Sequence, residues 1–148
     1  MRDQVFISYS HQDKNWLQKL QVHLKPFERA HKIQVWDDTK LVPGSKWRDE
    51  IEAALSSAKV ALLLVSPNFL ASDFIVTHEV PTLLEAASKE GLVVLWVAVS
   101  ASAFAESEIS DYQAVNDPAK PLDTLKSSKL NSELVRICGT IKSVLAAS

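Results

Sequence analysis

Val60-Ala-Leu-Leu-Leu-Val65-Ser66-Pro67-Asn-Phe-Leu-Ala-Ser72-Asp73-Phe74-Ile75-Val-Thr77-His78-Glu79-Val-Pro81 carries the change from strand to helix that decides the fold. Its first six residues are all apolar, as in a strand covered on both faces. Ser66 then offers an N-cap hydroxyl, and Pro67 stands at the first helical position, where its missing N–H is no loss. Ser72-Asp73 repeats the start signal, so the spacing predicts a helix that begins in two steps. Pro81 cannot donate to the carbonyl of Thr77, and its ring pushes that carbonyl away. The helix is therefore expected to kink or loosen beside Glu79. A carboxylate at a disturbed turn, just past a strand's carboxyl end, lies where open α/β sheets bind ligands. A solvated surface glutamate on a helix ended by proline is the other reading these residues allow.

Outward from that stretch, strands and helices alternate. Residues 5–7 are a short apolar run so near the start that it reads as the first strand. Ser10 with Asp13 resembles a capping box, although Glu or Gln is the usual partner. Trp16, Leu17, Leu20, Leu24 and Phe27 recur at helical spacing, with Pro26 loosening the last turn. Residues 32–36 alternate as a half-buried strand and run into a polar loop closing on Pro43-Gly44-Ser45. Trp47, Ile51, Ala54 and Leu55 mark the next helix, with Ser45 as a candidate cap. On the far side, the helical region 66–89 stops at Gly91, a good C′ residue. Residues 92–99 make a fourth apolar strand. Residues 101–115 have room for a short helix, and any fifth strand is short and near the loop 116–121. Leu130, Leu134, Ile137, Cys138, Ile141, Val144 and Leu145 form the stripe of a closing helix. This alternation predicts an α/β fold, a four- to five-stranded parallel sheet with helices on both faces.

The chain has 148 residues, 47% hydrophobic and 23% charged, enough for one domain with a real core. It reads as a single domain over 1–148, either in itself or as a piece of a longer, sensor-fused protein. A net charge of −2 with scattered Lys and Arg argues against a nucleic-acid partner or a polybasic membrane surface. The single cysteine excludes an intramolecular disulfide and a cysteine-based metal cluster. No histidine pair has helix spacing with a carboxylate partner, so no metal is expected. The start lacks the apolar core of a signal peptide, and the longest apolar run is too short to span a bilayer as a helix. A cytoplasmic location is therefore expected. Three glycines leave no Gly-rich phosphate loop, and a Gly-x-Ser-x-Gly nucleophile elbow is absent. A phosphoacceptor receiver shares the strand-helix order, but Ser8, Tyr9 and Ser10 stand where it needs acidic residues.

What remains is a crevice lined by three strand ends. The first supplies Ser8, Tyr9 and Ser10, the second Trp36, Asp37 and Asp38, and the third the helix with Phe74 and Glu79. Hydroxyls, aromatic faces and carboxylates with few cations suit a ribose and a flat base better than a bare phosphate. Each member has a plainer reading too: Trp36 as core, Asp37-Asp38 as turn chemistry, Tyr9 and Ser10 as caps of the first helix.

Three motifs in order resemble the TIR (Toll/interleukin receptor) domain family, and its bacterial branch most. They are Phe6-Ile7-Ser8-Tyr9-Ser10, Trp36-Asp37-Asp38 running to Leu41-x-Pro43-Gly44-x-x-Trp47, and Leu64-Val65-Ser66-x-x-Phe69-x-x-Ser72 with Glu79. The resemblance implies a flavodoxin-like fold. It also implies that the 37–46 loop, with Asp37, Leu41, Pro43 and Gly44, mediates assembly with other TIR domains into a homo-oligomer or filament. The family divides into self-associating adaptors and enzymes that cleave NAD at the nicotinamide glycosidic bond, and Glu79 matches the essential glutamate of the enzymes. By the same resemblance, Tyr9 and Ser10 would line the nicotinamide-ribose side and Asp38 and Thr39 the loop side, with Trp36 and Phe74 as further substrate-binding residues. The implied activity is that of an assembly-activated NADase in bacterial immune signalling, with NAD as substrate and no cofactor. A non-catalytic TIR–TIR interaction module is the alternative. Two positions depart from the family pattern. Many enzymatic relatives carry an aromatic residue four positions before the glutamate, where this chain has Ile75, with Phe74 five before. Relatives often carry arginine directly after the first motif's tyrosine, where this chain has Ser10.

Overall fold

A computed structural model describes residues 3–37 and 46–147, with Trp47 and Arg48 described by backbone alone. Five strands, β1 (Gln4–Ser8), β2 (Val35–Trp36), β3 (Ala58–Val65), β4 (Val93–Ala98) and β5 (Gln113–Ala114), pair in the order β2-β1-β3-β4-β5. Every pairing is parallel, with Ile7 opposite Leu62 and Leu63 opposite Trp96 in the centre of the sheet. This is the α/β arrangement expected from the alternation of elements, in the flavodoxin-like form that the resemblance implied.

Period-two alternation divides the core into two layers. Val60, Leu62 and Leu64 of β3 face α1 (Lys14–Arg29) and α5 (Ser127–Ala146), where Leu17, Leu20, Leu24, Leu134, Ile137 and Ile141 are buried. Ala61, Leu63 and Val65 face α2 (Trp47–Ser57), α3 (Pro67–Ala71) and α4 (Val80–Lys89), against Leu55, Phe69 and Leu83. A strand covered on both faces has no polar position to spare, which is why β3 reads as a continuous apolar run. Lys59 donates to the carbonyls of Leu145 and Ala147, placing a cation at the carboxyl end of α5 where the helix dipole favours it.

The edges differ from the sequence expectation. The second strand is confined to Val35–Trp36 because the preceding residues turn out of α1. His31 sits at φ 57° and donates to the Glu28 carbonyl, while Lys32 donates to that of Phe27. That closes the helix in a Schellman turn with histidine in glycine's usual place. Between 101 and 115 there is no α-helix but two 3-10 turns, Phe104–Glu106 and Glu108–Asp111. The fifth strand is short and directly precedes the 116–121 loop, as expected. Beyond it the Asn116 side chain continues the ladder, accepting from Ala98 N–H at 2.8 Å and donating to Ala98 C=O at 3.0 Å. One amide thus satisfies both backbone groups of Ala98 that a longer strand would have paired. The cap position of α2 is Lys46, without a side-chain bond, and Ser45 lies outside the described residues.

Candidate functional site

The connection out of β1 leads to one side of the sheet and the connection out of β3 to the other, so the carboxyl ends of these two strands flank a crevice. A cleft of about 450 Å³ opens there, in the range of small-molecule sites. Tyr9, Ser10, His11 and Gln12 form one wall, Trp36 and Ile51 the second, and Ser72, Phe74, Ile75 and Glu79 the third.

Local chemistry positions each wall. Ser10 caps the 3-10 turn His11–Asp13, its hydroxyl accepting from Gln12 N–H at 3.3 Å. Asp13 does not complete a capping box. Its carboxylate turns inward at 8% exposure and accepts from the Ser66 hydroxyl and from Asn68 Nδ2. Ser66 in turn accepts from Phe69 N–H at 3.0 Å as the cap of α3. The loops after β1 and β3 are thereby tied together directly beside the cleft. Trp36 stacks on Phe6, with ring centroids 5.1 Å apart and planes 12° from parallel. It is thus partly core and partly cleft wall, which unites its two sequence readings.

The third wall carries the disturbance expected from Pro81. After the second start at Ser72, whose hydroxyl accepts from Ile75 N–H at 3.3 Å, residues Ile75–Glu79 form a π turn. Val80 N–H donates five residues back to Ile75 C=O. Pro81 has no N–H to offer the following turn, so a wider turn meets no competing α bond there. The Thr82 hydroxyl donates to His78 C=O at 2.9 Å, an additional bond within the same turn. In an α-helix, residues three and four apart share a face. The π turn inserts one more residue, and Phe74, five before Glu79, accordingly lines the cleft beside it.

The TIR domain family matches the chain over residues 5–125. The chain is a TIR domain. Among its relatives is the protein y4lF of Sinorhizobium fredii, 27% identical over 118 residues, which are 80% of this chain and 36% of that protein. The chain thus spans about a third of the length of that relative. Two solved structures share the fold. The TIR domain of the Toll-related receptor TRR-2 from Hydra magnipapillata superposes with a TM-score of 0.52 at 18% identity, covering 81% of this chain and 89% of that one. The TIR domains of the activated Roq1 resistosome, which directly recognises the pathogen effector XopQ, give 0.54 at 19% identity, covering 98% and 84%.

Of the site residues read from the sequence, this TIR domain brings Tyr9, Ser10, Trp36, Phe74 and Glu79 together on one cleft. Ser8 is buried at 1% exposure with its hydroxyl unpaired, outside the cleft lining. Asp37 is buried too, and its carboxylate accepts from Gln21 Nε2 at 3.2 Å. Asp38, Thr39, Leu41, Pro43 and Gly44 lie outside the described residues. Six lining residues escaped the sequence reading: Ile7, His11, Gln12, Ile51, Ser72 and Ile75. His11 and Gln12 directly follow the first motif, and the cap at Ser10 was the signal that the chain turns there rather than departing. Ser72 was legible as a helix start, and the same cap puts it on the rim. Ile51 belongs to an apolar stripe and is indistinguishable from core by pattern alone. Among the described residues the cleft lining contains neither Lys nor Arg; its basic group is His11, whose ring packs on Tyr9 at 5.6 Å. No group of three or more His, Cys, Asp or Glu among the described residues could hold a metal ion, and no described helix is long and apolar enough to cross a membrane.

Proposed function

We propose that this TIR domain is an NAD glycohydrolase. The observation that carries the reading is Glu79 on a π turn at the β1/β3 crevice, facing the same cleft as Tyr9, Ser10, Trp36 and Phe74. One carboxylate suffices for this chemistry. The nicotinamide of NAD is a cationic ring, so when the C1′–N bond breaks its electron pair returns to the ring nitrogen. The base leaves neutral, and no acid is needed to protonate it. Positive charge develops on the ribose, where Glu79 stabilises it and accepts hydrogen bonds from the ribose hydroxyls. Water then attacks C1′ and releases a proton, giving ADP-ribose; attack by a nucleophile within the ADP-ribose itself gives a cyclic product. Trp36 and Phe74 supply aromatic faces for the base, and Tyr9 and Ser10 hydroxyls for the sugar.

Assembly with other copies belongs to the same proposal, with the 37–46 loop as the contacting segment and bacterial immune signalling in the cytoplasm as the setting. A neighbouring copy completing the site makes turnover rise faster than linearly with protein concentration. The test is chromatographic release of nicotinamide from NAD across a concentration series. Glu79→Gln is expected to lower turnover about 100- to 1,000-fold with unfolding unchanged. Full turnover in that variant would refute the assignment. Self-association without NAD cleavage, even on an oligomeric fusion, would establish the adaptor reading instead.

A further inference from the structure

The pairing of β1 with β3 ends at Ser8 opposite Leu63, and past that point the first and third walls of the cleft diverge. Asp13 spans the gap. It ends the 3-10 turn whose cap and earlier residues, Ser10, His11 and Gln12, line the first wall. Its own N–H donates to the Ser10 carbonyl at 2.8 Å, which fixes the carboxylate one turn behind that residue. The carboxylate accepts from the Ser66 hydroxyl and from Asn68 Nδ2 at 3.3 Å, both at the start of α3. α3 is only five residues long and runs directly to Ser72 on the third wall. There the Ser72 hydroxyl accepts from Ile75 N–H and its carbonyl from Val76 N–H, the bonds that open the turn carrying Glu79.

We propose that Asp13 is a positioning residue of this site, holding the wall that meets the sugar at a fixed spacing from Glu79. The proposal rests on the NAD-cleaving reading and deepens it. Asp13 is outside the cleft lining, so it acts through Ser10 on one side and through α3 and Ser72 on the other. Hydrogen bonds to an ionised acceptor are short and directional, as a fixed spacing requires. Asp13 and Ser66 are both buried, where water competes little for the bond. A displacement of about 1 Å between reacting groups costs on the order of 100-fold in rate. Ground-state contacts to a flexible dinucleotide give way more gently, so loss of Asp13 falls on turnover more than on affinity.

The test compares Asp13→Ala and Asp13→Asn with Ile137→Ala in the full chain, at a temperature where all are folded. Ile137 is buried in α5 and outside the cleft lining, so its variant controls for lost stability alone. Asp13→Ala is expected to lower kcat for NAD about 100-fold with KM within about threefold. Asp13→Asn keeps an oxygen to accept from Ser66 and is expected to recover to within about tenfold of the wild type. Ile137→Ala, with a comparable fall in Tm, is expected to keep kcat within about twofold. A kcat loss no larger than that of Ile137→Ala, or one that asparagine does not relieve, would overturn the positioning role. Amide hydrogen exchange reads the same joint without catalysis. Asp13→Ala is expected to speed exchange at Gln12 and Ile75 about tenfold beyond Ile137→Ala. If even the wild type leaves NAD intact while that exchange rises, the joint stands and the enzymatic reading falls. If NAD is cleaved and Asp13→Ala matches the control in both kcat and exchange, the joint falls and the enzymatic reading stands.

Discussion

Asp13 and Ser66 are 53 positions apart in sequence, yet they join the two loops that bound the cleft, and removing either side chain should show how much that joint is worth. Asp13→Ala deletes the acceptor of the Ser66 hydroxyl and of Asn68 Nδ2, the second at 3.3 Å from an exposed residue. A hydrogen bond to a charged group is worth about 1.5–3 kcal/mol net, and a buried hydroxyl left without its acceptor costs about 1–3 kcal/mol. With Ser66 at 1% exposure the first bond is buried and the Asn68 bond adds little, so the expected loss is roughly 2–4 kcal/mol. For a domain of this size that lowers Tm by roughly 5–15 °C. Ser66→Ala loses the same bond and also the cap on Phe69 N–H, itself worth about 1 kcal/mol. Because both variants break one shared interaction, the double variant should be less destabilised than the sum by about 1.5–2 kcal/mol. Urea unfolding followed by far-UV circular dichroism measures all four corners of the cycle. Losses that add to within about 0.5 kcal/mol would show the two side chains to be energetically independent, and the joint to be geometry without consequence.

Two further outcomes follow from other parts of the molecule. Cys138 is fully buried in α5, and burial pushes its thiol up to about 11, against an ordinary value of 9.0. The fold favours the protonated thiol, so this contribution to stability is fully present below about pH 9 and is lost as pH rises through about 11. Near pH 8 the native thiol should react with iodoacetamide about 100-fold more slowly than an unfolded control, and a native rate matching the control would contradict its burial. Pro81→Ala restores an N–H to the helix and should let the π turn relax toward α geometry. Stability is then unchanged or raised by about 0.5–1.5 kcal/mol, while NAD cleavage falls roughly 10- to 100-fold as Glu79 and Phe74 part. Unfolding curves and nicotinamide release measure the two together; undiminished cleavage would detach the π turn from the site.

How much of this was legible in the sequence depended on whether the deciding interaction was local. The run 60–65 declared a central strand because both of its faces are covered, and Ser66, Pro67 and Gly91 announced helix ends through bonds a few residues long. The edge strands gave less: β2 showed an alternation longer than the strand itself, and β5 no pattern of its own. Two residues each are held mainly by what lies beside them, the Schellman turn at His31 and the Asn116 amide on Ala98. Asp13 was legible as a capping residue, but its partners arrive from 53 and 55 positions away, a distance no local pattern spans.

The departure at Phe74 shows the opposite case, in which a local rule applied correctly points to the wrong geometry. Counted on an α-helix, an aromatic five residues before the glutamate stands on another face, and Ile75 occupies the position that shares it. Pro81 changes the count. With its N–H missing, the turn from Ile75 to Glu79 takes in one more residue, and Phe74 and Glu79 reach the same cleft, with Ile75, at 4% exposure, as a more deeply buried part of the same wall. The proline and the displaced aromatic are therefore one feature read at two positions. Moving the aromatic back by one, as in Phe74→Ile with Ile75→Phe, would restore the common spacing only where the turn is α-helical. On this backbone the exchange should force a phenyl ring into the buried space of an isoleucine and take the aromatic face from its exposed place on the cleft wall.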